Sequence, residues 1–109
     1  MKFKFKITEN TTIDDAEKEL DSLCSVPVNE IPFNHILKIT EFLGVEHIKA
    51  NGGSAERFHH PLAETFGGHF TIHIVHKGKG EVLVMRTNYK KYIYLVLKKI
   101  IEKKRTSKI

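Results

Sequence analysis

The chain is poor in the residues that staple, kink or anchor a protein. Its 109 residues include one cysteine, three prolines and no tryptophan. A lone Cys24 excludes an internal disulfide framework and fits a reducing cytoplasm, where it reads as a small buried apolar side chain rather than a nucleophile. No apolar run approaches the roughly 18 residues of a membrane span. The first seven residues alternate lysine with Phe3, Phe5 and Ile7, without the continuous apolar segment of an export signal. The expectation is one cytoplasmic domain with no membrane association, of a size that can bury a core unaided.

Charge, in contrast, is abundant and unevenly placed. The net charge is +5, yet residues 8–30 hold seven acidic side chains against Lys18 alone. Residues 77–109 hold eleven Lys or Arg against Glu81 and Glu102. A basic half of this kind attracts polyanions through phosphate neutralisation and counterion release. Lys98, Lys99, Lys103, Lys104 and Arg105 also suit a helix C-terminus, but Lys77, Lys79, Arg86, Lys90 and Lys91 are not explained that way.

Hydrophobic spacing predicts the elements. Residues 1–7 read as a short strand or extended arm. Thr12 caps a three-turn helix with Ile13, Ala16, Leu20 and Leu23 inside and an acidic outer face, ending before Pro27. A link over 25–31 leads to a second helix with Pro32 in its first turn, a stripe of Phe33, Ile36, Leu37, Thr40 and Leu43, and Gly44 just past its end. His35 and His47 read as solvated. A short strand over 45–50 precedes the Gly52-Gly53 turn. Residues 69–76 alternate Phe70, Ile72 and Ile74 with Thr71 and His73, and the Lys77-Gly78-Lys79-Gly80 turn returns a strand over 81–86. Asn88 then caps a last helix with Tyr89, Tyr92, Ile93, Val96, Leu97 and Ile100 on one stripe. The expected class is α+β: a small antiparallel sheet of about three strands against two helices, one sheet face open, plus an extra N-terminal helix.

The stretch from Gly52 to Pro61 carries the chemistry. Two glycines permit a sharp turn, and the strand after it puts Ser54, Glu56, Phe58 and His60 on one face with Ala55, Arg57 and His59 on the other. Pro61 ends the strand. A turn feeding a strand with Arg and two His side chains suits anion chemistry; it also reads as a polar surface hairpin. Five histidines between positions 59 and 76 raise a zinc site as an alternative, but no carboxylate or thiol stands at ligand spacing.

A helix closing in Leu43-Gly44, a short strand, Gly53-Ser54, the run Arg57-Phe58-His59-His60-Pro61, further strands and a C-terminal helix together resemble the HicA toxins, over about residues 31–103. These are small ribonucleases of toxin–antitoxin pairs with a double-stranded-RNA-binding-like fold. The resemblance implies a HicA-like domain over 31–109 preceded by an N-terminal arm and acidic helix over 1–30, all in one globular unit. It implies a metal-independent endoribonuclease that cleaves mRNA and blocks translation, with no cofactor and a HicB-like antitoxin as partner. In the family a catalytic histidine follows Gly-Ser directly or one position later; here those positions are Ala55 and Glu56. Three accounts of Ala55 stay open: an introduced inactivating change, a natural loss that leaves a binding module, or transfer of the role to His59 or His60. Lys49, Gly53, Ser54 and Arg57 are the nearer RNA contacts that the resemblance implies, with Arg86 and Lys90 more distant. The alternatives are a non-catalytic module for double-stranded RNA, using the same basic face, and a protein-binding domain. The acidic helix could fold back on the basic surface as a screen.

Overall fold

The computed structural model describes residues 6–25, 30–48, 55–63 and 66–106. Thr12 and Asp15 form a reciprocal cap at the first helix, α1 (Ile13–Leu23). The Thr12 hydroxyl accepts from the Asp15 N–H at 3.2 Å, and the Asp15 carboxylate accepts from the Thr12 N–H at 2.9 Å. Ala16, Leu20 and Leu23 are buried at helical spacing, as expected.

A strand, β1 (Glu30–Pro32), follows where a link was expected, and Pro32 caps α2 (Phe33–Phe42) instead of lying in its first turn. Pairing explains the difference: β1 runs antiparallel to β6 (Glu81–Met85), with Ile31 opposite Val84 and both fully buried. Gly44 sits at φ 78°, the left-handed position that stops α2. Then come β2 (Glu46–Ile48), β3 (Ala55–His59), β4 (His69–His73) and β5 (Val75–Lys77).

The strands form two three-stranded antiparallel sheets, ordered β1-β6-β5 and β2-β3-β4, rather than one. The alternating stretch expected over 69–76 changes partner at Ile74: β4 pairs with β3, and β5 closes the hairpin with β6 through Gly78–Gly80. Phe58, Phe70 and Ile72 fill the inner face of the second sheet, where Phe58 stacks on Phe70 at 5.6 Å and meets Phe33 edge-on at 6.3 Å.

The C-terminal helical body starts earlier than expected and is not uniform. α3 (Arg86–Asn88), a π-helical stretch (Tyr89–Ile93) and α4 (Tyr94–Thr106) run on without a break, and Asn88 lies inside, making no side-chain cap. Bonding from i to i+5 widens the turn, so spacing of four is kept in phase with the core and spacing of three is not. Tyr89, Ile93 and Leu97 are buried while Tyr92, expected on the same stripe, is 51% exposed.

The acidic face of α1 does not look outward. It lies on α4, where Lys98 Nζ reaches Glu17 at 2.7 Å and Asp21 at 3.2 Å, and Arg105 pairs with Asp14 and with Glu17 at 2.8 Å. The hydroxyls of Tyr89 and Tyr94 donate to the Leu20 carbonyl (2.6 Å) and to Asp21 (2.7 Å). The bonds from Arg105 first and Lys98 second hold the Glu17 carboxyl below the usual range, and the bond to Glu17 pushes Lys98 up. Ala16, Leu20 and Leu23 of α1 share one core cluster with the buried residues of the later elements. No helix among the described residues is long and apolar enough to cross a membrane.

Candidate functional site

Strand pairing decides which polar side chains can cooperate. β3 and β4 pair in the register Ala55↔His73, Arg57↔Thr71 and His59↔His69, and directly opposed residues project to the same face. Alternation sends Phe58, Phe70 and Ile72 inward. It therefore gathers Ala55, Arg57, His59, His69, Thr71 and His73 on the opposite face of the ladder. Arg57, His69, Thr71 and His73 are exposed there, while Ala55 and His59 are half-buried. The β2 partners of His59 and Arg57 are Glu46 and Ile48.

His59 and His69 stand with ring centroids 4.6 Å apart, and the Nδ1 of His59 lies 3.8 Å from the Glu46 carboxylate. Arg57 is between that pair and the Ala55–His73 pair, as the central cation of the face. His73 is across the ladder from Ala55, where Cβ atoms of opposed residues are about 4.5–5.5 Å apart.

His60 does not belong to this face. It is only 6% exposed, its Nδ1 accepts from the Leu62 N–H at 3.0 Å, and its backbone N–H donates to the Gly68 carbonyl at 2.9 Å. Burial, with the charges of Lys104 and His59, pushes its pKa below the ordinary histidine value, so it stays neutral. His60 thus holds a turn from within, whereas His59 shares the strand face with Arg57.

Of the other residues expected here, Lys49, Gly53 and Ser54 lie outside the described residues. Arg86 is half-buried at the start of the C-terminal helical body, and Lys90 is exposed on its π-helical stretch, where its charge acts on Cys24. Both are on the helical body, not the strand face. Cys24 is half-buried at the end of α1, with a thiol raised mainly by burial.

Two histidines expected to be solvated are structural instead. His35 is 3% exposed with Nε2 at 2.5 Å from Glu19, and His47 stacks on Phe58 at 4.7 Å and pairs with Glu56 at 3.1 Å. Their partners come from other elements, which spacing along one helix or strand does not reveal. His69, Thr71 and His73, the face residues that sequence reasoning did not assign to it, carried a signal in the alternation of β4; what was missing was the register with β3. Among the described residues no three His, Cys, Asp or Glu side chains converge as metal ligands would.

Compared with protein-family models, curated proteins and solved structures, the chain matches none.

Proposed function

We propose that this chain is a HicA-like ribonuclease of a type II toxin–antitoxin pair, built on a double-stranded-RNA-binding-like fold, whose RNA site is the open face of β3 and β4. In the parent form the enzyme cleaves mRNA without a metal and blocks translation in the cytoplasm; the present chain keeps the binding face and lacks the histidine at position 55. The observation that carries this reading is the juxtaposition of Ala55, Arg57 and His73 on one face of the β3–β4 ladder, with Arg57 and His73 exposed.

The chemistry follows from that arrangement. A base takes the proton of a ribose 2′-OH, the 2′ oxygen attacks phosphorus, and the bond to the 5′ oxygen breaks as an acid protonates it. The products are a 2′,3′-cyclic phosphate and a free 5′-OH. An imidazole suits both proton transfers because its pKa lies near neutrality. A histidine at position 55 and His73 opposite it would supply the base and acid, while Arg57 binds the phosphate and offsets the charge that builds on it. A HicB-like antitoxin would cover this face, with complementary charge speeding the encounter.

The test is Ala55→His, assayed on a fluorogenic RNA in EDTA. Cleavage should rise about 100- to 10,000-fold, the usual contribution of one acid–base group. His73→Ala in that background should return most of the gain. A folded A55H protein that binds RNA but cuts it no faster overturns the catalytic assignment and leaves a non-catalytic RNA-binding module. Cleavage by the unaltered chain that His59→Ala abolishes would instead put the role on His59.

A further inference from the structure

A groove of about 530 Å³ runs between β4 and the C-terminal helical body, lined by Phe70, Thr71, His73, Asn88, Tyr92 and Val96. That is within the roughly 300–1,000 Å³ of small-ligand sites. Its β4 wall is already part of the open face, since Thr71 and His73 border both. The facing wall is built by the helical body, whose π-helical stretch turns Tyr92 out of the core and leaves it 51% exposed beside the half-buried Asn88. Lys91 Nζ stands 5.6 Å from the centre of the Tyr92 ring, and Lys90 and Lys91 are both exposed.

We propose that this groove takes an unpaired base of single-stranded RNA, stacked on Tyr92, while the adjoining phosphate lies against Arg57 on the open face. The inference rests on the reading of that face as an RNA site and adds a base-binding subsite to it. An exposed aromatic ring among lysines fits a nucleotide twice, as a π surface for any base and as a positive neighbourhood for its phosphate. Asn88 presents a carboxamide at the groove, able to donate to and accept from a base edge. Paired bases hide their faces in the stack, so the groove selects unpaired over duplex RNA. The continuity through Thr71 and His73 means that one strand can occupy both surfaces.

The experiment measures binding of a labelled eight-residue oligouridylate, and of an abasic ribose-phosphate chain of the same length, to the full chain. Tyr92→Ala should weaken oligouridylate binding about 5- to 150-fold, the range for one stacked base, and leave abasic binding unchanged. Tyr92→Phe should bind like the parent, as should Leu95→Ala, which alters another exposed side chain of the same helical body outside the groove. If Arg57→Ala weakens binding and Tyr92→Ala does not, the groove assignment is overturned while the face reading stands. If the parent chain binds neither probe, the face reading falls and the groove assignment with it. If Tyr92→Ala spares RNA binding but dissolves a self-association seen by sedimentation, the groove is a protein contact and the inference is wrong.

Discussion

The acidic helix is fastened to the C-terminal body by two tyrosines of unequal weight, and that difference can be measured. Leu20 is in the last turn of α1, where the carbonyls lack helical partners. Its oxygen accepts the Tyr89 hydroxyl at 2.6 Å, with only a weak approach from the Cys24 thiol at 3.8 Å. Tyr89 is fully buried, and burial holds its phenol protonated well above the ordinary range. Tyr89→Phe removes the donor with almost no change of shape, leaving a buried carbonyl unpaired. That costs about 1–3 kcal/mol, where the net worth of the bond alone would be about 1. For a chain of this length about 2 kcal/mol lowers the melting temperature by roughly 10 °C. Tyr94→Phe is the internal control, because its hydroxyl donates to Asp21, whose side chain is half in water. Its loss should stay under about 0.5 kcal/mol. Urea unfolding followed by circular dichroism reads both variants. A Y89F midpoint equal to that of the parent at unchanged slope, or a Y94F loss as large as that of Y89F, would refute the claim that the buried bond fixes α1.

Two more perturbations bear on the edge of the site. His60 has a lowered pKa in the folded chain, so the unfolded chain binds the extra proton more readily. The stability from this neutral imidazole is therefore complete above about pH 6.5 and is lost as pH falls through the lower, folded value. His60→Asn, which keeps an acceptor for the Leu62 N–H, should flatten that part of the profile in urea midpoints taken between pH 5 and 7. Gly68 has φ 79°, and a Cβ there would stand 2.6 Å from the His60 carbonyl and 3.2 Å from the His59 ring. Gly68→Ala should cost at least about 1–2 kcal/mol in the same unfolding assay from the left-handed backbone alone. It should also lower RNA affinity by displacing His59; a variant as stable as the parent would contradict the close approach.

What was legible in the sequence was local. The cap at Thr12, the apolar stripe of α2, the stop at Gly44 and the alternation of β4 all follow from spacing and from single-residue conformational preference. So does the division of Glu56 and Phe58 from Ala55, Arg57 and His59. What stayed hidden depends on contacts far apart in the chain. β1 is three residues long and exists because β6, some fifty residues later, pairs with it. His35 reads as polar until Glu19 of α1 is set beside it, and the acidic face of α1 reads as solvated until α4 arrives with Lys98 and Arg105. The division into two sheets leaves no mark on the alternating pattern, because Ile74 keeps phase while the strand changes neighbours. The site was half-visible for the same reason: its β3 residues were named, and their β4 partners needed the register.

The widened turn at Tyr89–Ile93 works as a phase shift for everything beyond it. Had the chain wound regularly there, each later side chain would be rotated by up to about 100°, one residue's step around the axis. Such a rotation would swing Lys98 and Arg105 off the carboxylates they now neutralise while carrying Tyr92 back toward the interior. A single irregular turn thus sets two unrelated things at once, which positive charges are cancelled internally and which aromatic ring is offered to the outside.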